Sequence, residues 1–301
     1  MKSFATIGIF AKPKSTDVKH TLCALIEFLI KQKHKVLLDR DYVDHKFTHK
    51  LVTLSSSEEI TKSANLIMVV GGDGSLLKAA RMVAASSIPV VGINRGKLGF
   101  LADIVPSKLK EILEPVLAGE YVEEQRALLQ LTIKHNNKVK LQNLALNDIV
   151  LYNSNIARML SFKVAIDGQY VMHQRADGLI ISTPTGSTGY AMSGGGPILY
   201  PTLEAISLLP MFAHSLSSRP IVINNNSKIN LQLDTDAELS PKISCDGQVH
   251  FNAKCTDTIE ITSFNKKLKL IHPQGYSYYA ILREKLGWSQ NPSSDRVLTR
   301  S

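Results

Sequence analysis

Apolar residues follow two textures along this chain. From Ala5 to Leu117, short and nearly uninterrupted apolar blocks alternate with longer stretches in which apolar positions recur every three or four residues. The blocks Ala5–Phe10 and Val36–Leu38 are strand-like, while Leu66–Val70, short, β-branched and without helical period, and Ile88–Ile93 predict strands buried on both faces. Between the first two, Val18, Leu22, Leu25, Ile26 and Leu29 share one helical face, with Ser15, Thr16 or Asp17 as cap. LLKAARMVAA, capped by Ser75, and Ser107–Leu117 predict two more helices. Residues 39–62 are polar and irregular, with a short helix near their end. Strands alternating with helices predict parallel βαβ units and a layered, Rossmann-like α/β sheet.

The texture changes near Glu120. Strand patterns then follow one another at Ala127–Lys134, Leu144–Tyr152, Ser161–Ile166, Gly178–Ser182, Ile221–Ile223, Lys228–Leu233, Ile243–Cys245, Thr258–Ser263 and Lys267–Ile271. Asp167-Gly168 and Asp246-Gly247 are hairpin-turn pairs. Pro201–Leu209 admits a helix inside this region, and Tyr276–Leu286 has helical period. The expected organisation is an α/β domain over 1–124, a β-rich domain over 125–272, and a C-terminal helix and tail over 273–301 that pack back on the first domain. No internal repeat or low-complexity segment interrupts this.

Glycine placement picks out the candidate chemistry. Leu66–Val70 runs into Gly71, Gly72 and Gly74, which surround the carboxylate of Asp73. Glycines let the chain turn with φ > 0 and approach a ligand, and a helix start behind a glycine loop favours phosphate. A carboxylate there repels phosphate unless it holds a metal ion or takes a proton from an attacking group. The bland alternative is a tight βα turn with Asp73 as a local cap. Past the Ile88–Ile93 strand, Gly96 and Gly99 make a loop at a strand's C-terminal end, where α/β sheets bind ligands, so Phe100 is either pocket-lining or core.

Arg175–Pro201 is the densest run of small and hydroxyl residues. Thr183, Thr185, Ser187, Thr188 and Ser193 offer hydrogen bonds, and Gly186, Gly189 and Gly194–Gly196 bring backbone close, a surface suited to a nucleotide. Asn147-Asp148 interrupts the apolar LALNDIVLYN; neighbours on a strand face opposite ways, so both reach one ligand only at a strand end or bulge. His45 and His49 have helical metal-ligand spacing but lack the glutamate of a zinc-protease motif, which favours coincidence.

Composition narrows the partners. With 44% hydrophobic and 20% charged residues in 301, the chain is an ordinary globular one. The net charge of +9 favours anions. Its basic residues are scattered, and no nucleic-acid signature accompanies them, so nucleic acid is not expected. Phe4–Ala11 is too short to span a membrane and has no cleavage site behind it. Three cysteines without metal-ligand spacing fit a reduced, cytoplasmic protein.

GGDGSLL at 71–77, LNDIVL at 146–151 and DGLIISTPTGSTGYAMSGGGPIL at 177–199 together resemble the signature blocks of the NAD kinase family. The likeness extends to INRGKLGFL at 93–101, SRPIVI at 218–223 and ISCDGQ at 243–248, and runs to LGW at 286–288. It implies transfer of the ATP γ-phosphate to the 2′-hydroxyl of the adenosine ribose of NAD, with a divalent cation such as Mg²⁺ whose protein ligands are unassigned. It assigns Asp73 as the catalytic base, with Gly74 allowing close approach beside it. Asn147 and Asp148 become the dinucleotide-binding pair, and Arg175, Asp177, Thr188, Gly189, Tyr190, Ala191, Met192 and Ser193 further NAD contacts. Phe100, Lys78, Arg158 and Gln248 complete the candidate set. It also implies homodimers or homotetramers built through the β-rich domain.

Two departures stand out: Asp148 where bacterial members usually carry glutamate, and Gly189 where GSTAY has alanine. The rival readings are a lipid or sugar kinase with the same GGDG loop, and a non-catalytic NAD(P)-binding regulator, which has no need of Asp73. A dehydrogenase is disfavoured because the first βα turn, FAKPKST, lacks G-x-G-x-x-G.

Overall fold

A computed structural model describes residues 4–11, 16–40, 52–95, 99–154, 158–234 and 239–288. In chain order the first elements are β1 (Thr6–Ala11), α1 (Thr16–Lys31), β2 (Lys35–Asp39), β3 (Val52–Ser55), α2 (Ser57–Ser63), β4 (Leu66–Gly71), α3 (Asp73–Val83), β5 (Val90–Asn94), α4 (Leu109–Ala118) and β6 (Tyr121–Arg126). There follow β7 (Leu129–His135), β8 (Lys138–Ala145), β9 (Asp148–Asn153), β10 (Leu160–Ile166), β11 (Gln169–Ala176), β12 (Gly178–Ser182) and α5 (Tyr190–Ser193). The chain closes with β13 (Ala205–Met211), β14 (Ile221–Asn224), β15 (Ile229–Leu233), β16 (Pro241–Cys245), β17 (Val249–Asn252), β18 (Asp257–Ser263), β19 (Leu268–Pro273) and α6 (Tyr278–Leu286).

The chain divides into two compact units, drawn from Met1–Leu76, Pro89–Glu123 and Leu270–Ser301, and from Leu77–Ile88 and Glu124–Lys269. The first is a seven-stranded α/β sheet in the order β3-β2-β1-β4-β5-β19-β6. Strands β3 through β5 pair parallel throughout, as the βαβ pattern requires, and β19 joins β5 parallel at Leu270–Val90. α1 buries Leu22, Leu25, Ile26 and Leu29 against Ile7, Ile9, Met68 and Val70. Each such side chain contributes about 1.5–3 kcal/mol when fully buried. α6 is capped by Ser277, whose Oγ accepts from Ala280 N, and ends at Gly287 with φ 66°. Its Tyr278, Ile281 and Leu282 are buried.

The second unit holds two six-stranded antiparallel sheets, β11-β10-β15-β18-β7-β8 and β14-β13-β12-β9-β16-β17. Their apolar core includes Leu131, Phe162, Leu231 and Ile259 from one sheet and Leu151, Leu179, Leu208 and Ile243 from the other. Asp167-Gly168 turns β10 into β11 with φ of 51° and 80°, and Asn136-Asn137 does the same for β7 and β8 at 48° and 61°. Both are primed hairpin turns, which match strand twist.

Four expectations change. Pro201–Leu209 is not a helix: Ala205–Met211 is a strand between β12 and β14, with Ile206 and Leu208 in the core. Pairing on both sides overrides the local helical preference of leucine and alanine. Leu144–Tyr152 is not one strand but the end of β8 and the start of β9, which belong to different sheets. The polar stretch 39–62 contains β3, an edge strand beside β2. Lys267–Ile271 enters the α/β sheet rather than the β-rich one. His45, His49, Gly96 and Ser15 lie outside the described residues.

Candidate active site

The first candidate centre is the strand-to-helix turn behind β4. The N–H groups of Ser75 and Leu76 reach Gly72 O at 3.0 and 3.3 Å, which starts α3 at Asp73. Ser75 therefore lies inside the first turn and is not its cap. None of Gly71, Gly72 and Gly74 takes a positive φ, contrary to the expectation from their number. Asp73 sits where the helix dipole favours negative charge. Its carboxylate is held by three backbone N–H groups: Phe100 donates to Oδ2 at 2.8 Å, while Leu101 and Ala102 donate to Oδ1 at 3.2 and 3.2 Å. A carboxylate offers about four acceptor positions. Among the described residues, three are filled and about one remains open. The Phe100 ring is half-buried, with Lys285 Nζ 5.8 Å from its centroid.

The second centre lies in the β-rich unit. Along β9, Asp148, Val150 and Tyr152 face a cavity of about 630 Å³, while Ile149 and Leu151 enter the core. On β16, Ser244 faces the cavity and Ile243 and Cys245 the core. This is strand alternation applied twice. Asn147 precedes β9, escapes that alternation and lines the same cavity as Asp148. Arg158, Asp177, Tyr190, Asp246 and His250 complete the polar wall, and Val150 and Met211 pack with Ile180, Ala191 and Leu209 beside it. Tyr152 OH lies 3.0 Å from His250 Nδ1. Asn147 Oδ1 is buried without a hydrogen-bond partner among the described residues. A buried acceptor left open is costly, which makes this atom a candidate to accept from a ligand.

Asp246 organises the wall. Its side chain is fully buried and accepts the N–H groups of Leu146 at 3.2 Å, Asn147 at 2.7 Å and Asp148 at 3.3 Å. Arg81 pairs with it and reaches Gln248 Oε1 at 2.7 Å through its second nitrogen. Burial, and then the Asp246 charge, push the Asp148 carboxyl from its ordinary 3.8 to about 7. Burial first, with Asp246 adding to it, lifts the Cys245 thiol to about 12, so that group stays protonated.

The Asp148 shift carries a stability consequence. The folded state keeps this proton over a range in which the unfolded chain has lost it, so stability falls as pH rises from about 4 to about 7 and is level above. The cost at pH 8 is on the order of 4 kcal/mol. Asp148→Asn, which cannot ionise, is expected to flatten that slope in urea titrations across pH 4–8. An unchanged slope would place the proton elsewhere.

Several hydroxyls of the hydroxyl-rich segment donate to backbone carbonyls. Thr183 Oγ1 donates to Leu146 O at 2.6 Å, Ser187 Oγ to Pro184 O at 2.6 Å, and Thr188 Oγ1 to Thr185 O at 3.3 Å. A Cβ on Gly186 would fall 2.1 Å from Asn147 O, so that glycine serves the fit between this segment and the Asn147 backbone. These bonds and contacts fix the loop that presents Asn147.

Of the candidate residues, the cavity gathers Asn147, Asp148, Arg158, Asp177 and Tyr190. Thr188, Gly189, Ala191, Met192 and Ser193 flank Tyr190 on its own segment without lining the cavity, and Ala191 is buried beside it. Arg175 is exposed on β11, Gln248 is engaged with Arg81, and Lys78 is exposed on α3. Asp73, Gly74 and Phe100 belong to the first centre. No local sequence pattern marks Arg81, Tyr152, the Asp246 side chain or His250. The nearest to a signal is the aspartate after the apolar ISC, and the hairpin turn accounts for it.

Residues 7–121 match the family model described as ATP-NAD kinase N-terminal domain, and residues 146–273 match the ATP-NAD kinase C-terminal domain. This chain belongs to the NAD kinase family. Curated relatives agree: an NAD kinase from Teredinibacter turnerae is 45% identical over 291 residues, covering 97% of this chain and 99% of that protein. One from Pseudomonas putida (strain W619) is 46% identical over 288 residues, covering 96% and 97%. A crystal structure of an NAD kinase from Archaeoglobus fulgidus in complex with ATP matches with a TM-score of 0.71 at 25% identity, covering 94% of this chain and 97% of that one. Yeast NADH kinase complexed with NADH shares the fold, with a TM-score of 0.87 at 24% identity over 97% of this chain and 90% of that one.

The two departures from the NAD kinase pattern both fall beside Asn147. Asp148 is a methylene shorter than glutamate and sits in the dry, acidic corner described above. An alanine Cβ at Gly189 would lie 3.2 Å from Asn147 Nδ2 and 3.2 Å from Gly186 O, a tight fit that glycine relieves.

Proposed function

We propose that this chain is an ATP-dependent NAD kinase that phosphorylates the 2′-hydroxyl of the adenosine ribose of NAD, with Asp73 as the proton acceptor. Membership of the NAD kinase family across both halves of the chain supports the reaction. The observation that carries the role of Asp73 is its carboxylate, fixed by three N–H groups at a helix start and with acceptor capacity to spare. A ribose hydroxyl is a poor nucleophile at neutral pH, and a positioned base together with alignment on the γ-phosphorus supplies what it lacks.

The cavity in the β-rich unit suits the dinucleotide. Asn147 Oδ1 and the Asp177 carboxylate are acceptors for hydroxyl or amino donors, and the Asp148 carboxyl, pushed up to about 7, accepts through either oxygen once ionised and donates while protonated. The exposed ring of Tyr190 offers a flat face to a base, and Arg158 a charge for phosphate. Among the described residues, no three His, Cys, Asp or Glu side chains form a metal cluster. Magnesium bound to ATP phosphates and to water would need no such cage and would neutralise charge on the transferring phosphate.

A lipid or sugar acceptor, or binding without turnover, gives a different result in one assay. The purified protein with NAD, ATP and Mg²⁺ is expected to form NADP, read by an NADP-specific dehydrogenase. It is expected to leave diacylglycerol, sphingosine and sugar phosphates unlabelled by γ-labelled ATP. Label on a lipid or a sugar, or NAD binding with no NADP, would overturn the reading. The three cysteines form no disulfide, which supports a cytosolic setting. Exposed Tyr170, Phe212 and Leu216 on the β-rich unit support assembly into homodimers or tetramers, which sedimentation measures.

A further inference from the structure

We infer that Gly99 is a positioning residue for Asp73: its missing side chain is the space into which the Asp73 carboxylate fits, and any Cβ there expels that carboxylate from its N–H cradle. The inference rests on the reading of Asp73 as the proton acceptor. A Cβ built on Gly99 lies 1.9 Å from Asp73 Oδ1, 2.6 Å from Cγ and 2.8 Å from Oδ2. Non-bonded carbon and oxygen do not approach within 3.0 Å without displacement, and here the obstructing group is itself pinned by three hydrogen bonds. Gly99 has no left-handed φ. Room for its neighbour, rather than backbone freedom, is therefore what this position demands.

The turn cannot easily back away to make that room. Ala102 packs on β5, where a Cβ on Gly92 would meet Ala102 Cα at 2.8 Å. Just beyond, Ile104 bridges Ile93: Asn94 N donates to Ile104 O at 2.8 Å and Ile104 N to Gly92 O at 3.3 Å. Leu101 and Ala102 are buried, so the segment is seated on the sheet from both its packing and its ladder bonds. On the other side, Asp73 belongs to the first turn of α3, whose Leu76 is fully buried. A methyl group at position 99 leaves the carboxylate as the part that moves. It loses the donors of Phe100, Leu101 and Ala102 and swings off the direction those donors set. Displacements of about 1 Å in a reacting group cost about a hundredfold in rate.

The test is a double-mutant cycle of Gly99→Ala, Asp73→Ala and the pair, with kcat, the dissociation constant for NAD and the melting temperature read on each full-length protein. Gly99→Ala is expected to lower kcat at least about tenfold. Its NAD dissociation constant should change less than about threefold, because the dinucleotide cavity is built elsewhere. In the Asp73→Ala background the same substitution should cost nothing further in rate and little in melting temperature, since both the base and the clash are already gone. If Gly99→Ala alone fails to fold, the double variant should fold as Asp73→Ala does. Losses that multiply, or a double variant as unfolded as the single one, would show that Gly99 acts through some other contact. A Gly99→Ala enzyme with parental kcat would overturn the inference while leaving the Asp73 reading intact. Parental turnover in Asp73→Ala would overturn both.

Discussion

Asp73→Asn is expected to lower kcat about 10²–10⁴-fold, the range a positioned general base supplies, while NAD binding persists. Asparagine keeps the shape and removes the proton acceptor. It does not keep every hydrogen bond. Its oxygen can still accept from Leu101 and Ala102, but its amide nitrogen then faces the Phe100 N–H, donor against donor. That mismatch should cost about 1–3 kcal/mol of stability. The pairing of a large kinetic loss with a modest stability loss identifies the chemistry. A modest stability loss with parental kcat would mean that the cradle is structural and the base lies elsewhere.

Arg81→Met should destabilise the β-rich unit by about 3–5 kcal/mol in urea unfolding. The Arg81 side chain is 9% exposed and that of Asp246 is fully buried, so removing the guanidinium leaves a carboxylate in a dry site beside Asp148. The three N–H groups of residues 146–148 remain on Asp246, but their dipoles do not replace a full charge. Adding Asp246→Asn to Arg81→Met removes the stranded charge and should recover part of the loss. NAD affinity should fall in Arg81→Met as well, because Asp246 fixes the backbone that presents Asn147 and Asp148. A cost below about 1 kcal/mol would mean that water, not Arg81, satisfies Asp246.

Most of the fold was legible because central strands, buried on both faces, write themselves as apolar runs. β4, β5 and β12 are of that kind. Edge strands pair on one side only and face solvent, and their polar residues conceal them. Every edge strand of the three sheets except β14 escaped the pattern wholly or in part: β3, β6, β8, β11 and β17. β13 failed differently, because its leucines and alanine suit a helix until β12 and β14 flank it. In the candidate site, Asp73 and Asn147-Asp148 are legible as polar residues where the local pattern calls for apolar or glycine. The Arg81–Asp246 pair is not, since its partners stand 165 residues apart and nothing local marks either one. The hydroxyls of Thr183, Ser187 and Thr188 suit a ligand by composition, and in the fold each also donates to a backbone carbonyl, Thr183 to Leu146 and the other two within their own loop. Composition cannot separate those two uses.

The measurement that tests the central claim most directly is the position of the transferred phosphate. The protein is incubated with NAD, Mg²⁺ and γ-labelled ATP, and the labelled dinucleotide is examined by ³¹P and ¹H NMR, with Asp73→Asn beside it. The account predicts a single phosphate on the 2′-oxygen of the adenosine ribose from the parent and almost none from the variant. Label on the 3′-oxygen or on the nicotinamide ribose, or equal labelling by the variant, would contradict it.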